Sequence, residues 1–76
     1  MAKPKPRLVN LDIDLLRAFV AVAETKNFTR AGARLARSQS AMSLRIRRLE
    51  QQIGAELFVR DNRRVVLTAR GEALHR

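Results

Sequence analysis

The sequence contains no cysteine, no tryptophan and no tyrosine. Without cysteine there are no disulfide staples, thiolate metal sites or sulfur nucleophiles, a composition compatible with a reducing cytoplasm. The only aromatic side chains are Phe19, Phe28 and Phe58. Single-strand binders stack bases on aromatic platforms, and three phenylalanines that each fit a core position argue against that role. No apolar run approaches the ~18 residues of a membrane span. The opening "MAKPKPRLVN" carries positive charge with no apolar stretch behind it, so it does not read as a secretory signal. Acid is scarce as well: seven Asp and Glu face sixteen Lys and Arg, a formal net charge of +9 on 76 residues. Self-repulsion at that density opposes compaction unless a polyanion relieves it, which points first to nucleic acid and second to an anionic membrane surface. A chain of this length makes one small domain, burying only about 60% of the surface its unfolded form exposes.

What is present is mostly helical periodicity. Residues 1–9 alternate Pro4 and Pro6 with Lys3, Lys5 and Arg7 and read as a flexible basic tail. A first helix is predicted over Asp12–Thr25, with Leu16, Phe19, Val20 and Ala23 inward and Leu15 and Val22 widening the stripe. Asn10 or Asp12 would cap it, Asp14 suits the positive end of its dipole, and Lys26 and Asn27 fit its end, with Asn27 able to take the left-handed conformation. A second, short helix is predicted over Arg30–Arg37, with Thr29 as its cap, Phe28 stapled just ahead, and Ala31 and Leu35 inward. Gly32 inside it costs about 1 kcal/mol against alanine and suggests the close approach of another backbone. Ser38 caps a third helix that runs to Ile53, with Gly54 just beyond and Met42, Ile46, Leu49 and Ile53 in one core-facing arc. The period then changes. Leu57–Arg60 and Val65–Thr68 are short β-like runs joined by the turn "DNRR", a hairpin with a cationic tip. Thr68 can cap a fourth helix in which Ala73 and Leu74 begin an apolar stripe. Helices shorter than ~12–15 residues are marginal alone, so this one reads as the start of a longer element.

The third helix carries the chemistry. Opposite its core arc lie Ser40, Leu44, Arg47, Arg48 and Gln51, with Ser43 on the flank and Gln39 in the first turn. A merely solvated helix shows long, mixed charges there. Short uncharged side chains followed by arginines suit a helix entering the major groove, where base edges offer acceptors, donors and the thymine methyl. Gln39, Ser40, Ser43, Leu44 and Arg47 are the candidate base contacts. Thr29, Arg30, Arg34, Ser38 and Arg48 are the candidate phosphate contacts, helped by free amides at helix N-termini. As a purely structural matter, Arg34 and Arg37 read as solvated charges. Arg63 and Arg64 at the hairpin tip would reach the adjacent minor groove, where narrow A·T tracts concentrate negative potential. Nothing suggests catalysis, a metal or a cofactor: the sole histidine, His75, stands near the end as a surface residue, and the carboxylates are scattered. Glu50 is expected to pair with Arg47 on the helix surface.

These residues resemble a known family. "FVAVAETKNFTRAGARL", "SQSAMSLRIRRLE", "IGAELFVR" and "VVLTARGEAL" stand in order and at the spacing of the N-terminal DNA-binding domain of LysR-type transcriptional regulators. The resemblance implies a mainly α fold, a winged helix-turn-helix over 10–67, with a recognition helix at 39–53 and a wing at 57–68. It implies that 68–76 begins a linker helix that pairs two subunits, with a tetramer in the full-length parent and a small-molecule effector domain beyond this chain. It implies sequence-specific binding of double-stranded DNA at an imperfect palindromic operator, in the cytoplasm. Matching the family's pattern, Gln39, Ser40 and Ser43 fall at major-groove positions, Arg60 ends the wing's first strand, Arg63 and Arg64 fall in the wing, and all three are candidate minor-groove contacts. Leu44 stands where many members carry arginine, Ser40 where many carry proline, and Gly32 where alanine is usual. The rival readings are a small basic RNA-binding or ribosome-associated protein, and a protein-interaction winged helix anchored by Leu44.

Overall fold

A computed structural model describes residues 12–60 and 64–75. The expected tail at 1–9, Asn10 as a cap and Arg63 at the hairpin tip lie outside the described residues. Within them the order is α1 (Ile13–Thr25), α2 (Phe28–Arg34), α3 (Gln39–Ile53), β1 (Phe58–Arg60), β2 (Val65–Leu67) and α4 (Ala69–His75). The three long-range helical contacts are mutual: α1, α2 and α3 pack on one another, and the hairpin and α4 close the far end.

Asp12 caps α1, its Oδ1 accepting the Asp14 amide at 2.9 Å. The left-handed residue at the other end is Lys26 (φ 56°), not Asn27. Asn27 is extended and caps α2 instead, its Oδ1 accepting the Arg30 amide at 2.9 Å. The helix therefore begins at Phe28, and Thr29 lies inside its first turn rather than at the cap. Asparagine outranks threonine as an N-cap, which accounts for the shift. α2 also ends early, at Arg34. The Arg37 amide donates to the Gly32 carbonyl at 2.7 Å and the Ala36 amide to the Ala33 carbonyl at 3.2 Å, with Ala36 left-handed at φ 58°. That is a Schellman closure with alanine in glycine's usual place. Gly32 supplies the missing room: a Cβ there would fall on the Arg37 carbonyl oxygen.

The largest fully buried side chains among the described residues are Phe19, Val22, Met42, Ile46, Leu49 and Leu57. The α1 stripe is rotated from its expected setting. Ala18 and Ala21 are buried, while Val20 is 40% exposed. Small side chains let α1 sit close between α2 and α3, and this turns Val20 outward. Met42, Ile46 and Leu49 form the expected inner arc of α3, with Ile53 half-buried at its edge. All three phenylalanines are buried; the Phe58 ring lies 5.4 Å from Phe19 and 6.2 Å from Phe28.

Two polar devices join the elements. Asp14 does more than face a helix dipole: its carboxylate accepts from Arg37 at 2.9 Å and from Arg45 at 2.6 Å, tying the first turn of α1 to α3 and the turn before it. The Arg45 hydrogen bond, with Arg37 adding to it, outweighs partial desolvation and holds the Asp14 carboxyl below the usual carboxylate range. Glu50 turns away from its expected surface role with Arg47 and accepts the Leu57 amide at 2.8 Å. The chain reverses at Gly54, which is left-handed at φ 85°, and this brings that amide over the end of α3.

The hairpin is antiparallel, pairing Phe58 with Leu67, Val59 with Val66 and Arg60 with Val65. Leu57 and Thr68, expected within the strands, lie just outside them and join their ends, the Thr68 amide donating to the Leu57 carbonyl at 2.9 Å. Thr68 is the expected cap of α4: its Oγ1 accepts the Gly71 amide at 3.0 Å and donates to the Glu56 carbonyl at 2.7 Å. Leu74 is half-buried and Ala73 exposed, so the apolar stripe is narrower than expected. The exposed His75 sets its ring edge against Phe19, centroids 6.0 Å apart.

Two outcomes follow from this packing. At Gly71 a Cβ would fall on the Leu57 carbonyl oxygen and press on the Leu67 side chain. Gly71→Ala should lower the unfolding free energy by about 1–3 kcal/mol in urea titrations; an unchanged midpoint would refute this contact. Because the Asp14 carboxyl is depressed in the folded state, its contribution is complete at neutral pH. It fades as pH falls through and below the usual carboxylate range. Asp14→Asn should therefore lose less stability than the wild type between neutral pH and pH ~3, measured by the same titration; equal acid sensitivity would count against the clasp.

Candidate nucleic-acid interface

α3 starts abruptly because Ser38 caps it, the Ser38 Oγ accepting the Ala41 amide at 3.1 Å. With Met42, Ile46 and Leu49 inward, the opposite side must face out. Gln39, Ser40, Leu44, Arg47 and Arg48 are exposed and Ser43 is half-buried. Gln39, Ser40, Ser43, Leu44 and Arg47 line one shallow hollow, so the five candidate base contacts come together in one place. Among the described residues no carboxylate lines it. Leu44 is 47% exposed, an apolar group left in water among polar neighbours.

The candidate phosphate residues are placed less uniformly. Thr29, Arg30, Ser38 and Arg48 are exposed. Ser38 spends its oxygen on the cap and lies 3.4 Å from the Ser40 hydroxyl. Arg34 is not simply solvated: its Nη1 meets Glu24 Oε1 at 2.6 Å across the α1–α2 surface. Arg37 is likewise held, by Asp14. Arg64 is exposed where the chain enters β2.

Arg60 ends β1, and its guanidinium carbon lies 4.4 Å above the Phe28 ring. Its Nη1 donates to Ser43 Oγ at 3.2 Å. A strand of the hairpin thus touches α3 at Ser43, one of the residues that line the hollow. A second hollow, lined by Arg47, Glu50, Glu56, Phe58, Val59 and Arg60, adjoins it through Arg47. The Arg60–Phe28 stack and the Asp14–Arg45 clasp have no sequence signal, because their members lie far apart in the chain. The Asn27 cap had one, since cap ranking favours it over Thr29. Among the described residues no group of His, Asp and Glu could hold a metal ion, and no helix is long and apolar enough to cross a membrane.

Comparison with known proteins agrees with this architecture. The chain is 52% identical over 64 residues to the HTH-type transcriptional regulator PecT of Dickeya dadantii, covering 84% of this chain and 20% of that protein. It is 50% identical over 68 residues to the HTH-type transcriptional regulator XapR of Escherichia coli, covering 90% of this chain and 23% of XapR. It therefore spans about a fifth of the length of the curated relatives it matches. The fold superimposes with a TM-score of 0.81 on the BenM DNA-binding domain solved with benA site 1 DNA, at 35% identity, covering 86% of this chain and 73% of that one. The model of bacterial regulatory helix-turn-helix proteins of the lysR family matches residues 13–72. Four helices and a two-stranded antiparallel wing, with this match across most of the chain, make it a member of the LysR family of bacterial regulatory helix-turn-helix proteins.

Proposed function

We propose that this chain is the sequence-specific, double-stranded-DNA-binding domain of a bacterial transcriptional regulator. The observation that carries the reading is the hollow on α3, where Gln39, Ser40, Ser43, Leu44 and Arg47 gather with no carboxylate among the described residues. In this reading α3 enters the major groove. Gln39 pairs with an adenine edge, Ser40 and Ser43 bond to base edges, Leu44 packs on a thymine methyl, and Arg47 reaches a guanine or a phosphate across the groove. Thr29, Arg30, Ser38 and Arg48 fix register on the backbone, and Arg34 joins them when it exchanges Glu24 for a phosphate. Arg64 follows the adjacent minor groove.

The protein acts as a homodimer on an imperfect palindrome, because symmetric half-sites mirror a symmetric protein. α4 begins the helix that pairs the subunits, and 10–67 is the unit that docks. A longer parent would assemble further, to a tetramer, and take its small-molecule effector in another domain. Its work is binding in the cytoplasm rather than catalysis, and it uses no cofactor. Support comes from the family membership and from a structurally similar domain solved on DNA.

A site selected from random duplexes provides the test. Gln39→Ala should cost about 1–3 kcal/mol on the selected site and little on random DNA, whereas Arg64→Ala should weaken both alike. Equal losses on both duplexes for Gln39→Ala would refute base reading there. With four to six phosphate contacts per subunit, log K against log salt should fall with a slope of about −7 to −11 for the dimer. Affinity indifferent to salt, or stronger for structured RNA than for any duplex, would overturn the proposal.

A further inference from the structure

Ser43 does not stand alone in the hollow. Arg60 Nη1 lies 3.2 Å from its Oγ, and that guanidinium is held over the Phe28 ring at 4.4 Å. Phe28 is itself buried and packed edge-on against Phe58, so the platform under Arg60 belongs to the core. The direction of the hydrogen bond is set by chemistry. A guanidinium has five N–H donors and no acceptor, so the serine oxygen must accept.

This has a consequence for recognition. A free serine hydroxyl is ambivalent, donating to one base edge or accepting from another. With one of its two lone pairs committed to a cation, the oxygen accepts a second hydrogen bond more weakly, and its one hydrogen points away from Arg60. The adjoining charge polarises the O–H and strengthens it as a donor. The major groove offers matching acceptors at purine N7, guanine O6 and thymine O4, against the donors at adenine N6 and cytosine N4. The hydrogen's outward side is the hollow that Ser43 shares with Gln39, Ser40, Leu44 and Arg47.

We infer that Arg60 is a positioning residue that sets Ser43 as a hydrogen-bond donor, so that Ser43 selects an acceptor on the base edge. The inference rests on the DNA reading above and assigns Arg60 to the recognition helix rather than to the minor groove. It also explains why the exposed Arg60 at the end of the first wing strand lies over an aromatic ring: the wing and the recognition helix then dock as one surface.

The test is a double-mutant cycle on the ratio of affinity for the selected site to affinity for random duplex. It compares the wild type with Ser43→Ala, Arg60→Met, the double variant and Arg60→Lys, with thermal midpoints recorded alongside. Arg60→Met keeps the apolar stem over Phe28 and removes the donor. Ser43→Ala and Arg60→Met should each lower the ratio by about fivefold per protomer, the worth of one hydrogen bond, and the double variant should lower it no further than either alone. Arg60→Lys, which keeps a charged donor, should recover part of the ratio. Multiplying losses, or an unchanged ratio in Arg60→Met, would overturn the assignment. So would a uniform loss on both duplexes with a shallower salt slope, the mark of a direct phosphate contact. A wild type with no preference among duplexes would defeat the DNA reading itself; a selective wild type with an equally selective Arg60→Met would defeat only the role of Arg60.

Discussion

Met42, Ile46 and Leu49 are completely withdrawn from water, and this one stripe decides which side of α3 the outside world meets. The rest of the architecture serves it. α1 and α2 wall the stripe in, Leu57 and Phe58 cover its far end, and Asp14 locks the rotation of α3 through Arg45. Removing a side chain of this size from a core costs about 2–5 kcal/mol. A domain of 76 residues commands only some 4–11 kcal/mol in total, at ~0.05–0.15 kcal/mol per residue. The stripe therefore settles both whether the domain folds and how it faces a partner.

Three of the seven carboxylates brace the fold. Asp14 joins α1 to α3, Glu24 joins α1 to α2 through Arg34, and Glu50 receives the Leu57 amide. Each one offsets positive charge or satisfies a backbone donor at the joints between elements. Among the described residues the α3 hollow has Arg47 and no acid in its lining. The positive field is thus shaped by where the acids are withdrawn as much as by where the arginines stand.

Much of this was legible in the residues. The arc of Met42, Ile46 and Leu49, the Ser38 cap, Gly54 at the end of α3 and the hairpin with its Thr68 cap all follow from local rules of period, capping and turn chemistry. The family motifs ordered them into one fold. What escaped was set by packing or by distant partners. Val20 turned outward because Ala18 and Ala21 allow α1 to sit close to its neighbours, a choice that periodicity alone does not make. Thr29 lost the cap to Asn27, where a stricter ranking of cap residues would have found it. Arg45 with Asp14, and Arg60 with Phe28 and Ser43, are tertiary pairings that no window of sequence contains. The gathering of Gln39, Ser40, Ser43, Leu44 and Arg47 on one side of α3 was readable from the helical wheel; the donor that meets Ser43 from β1 was not.

The most direct test of the central claim is an amide NMR titration of the folded domain with a selected duplex. The account predicts that the resonances of Gln39, Ser40, Ser43, Leu44 and Arg47 shift together and strongly, while those of Met42, Ile46 and Leu49 move little. Perturbations centred instead on the apolar surface of Ile13, Leu16 and Val20, with the first turns of α3 silent, would contradict it.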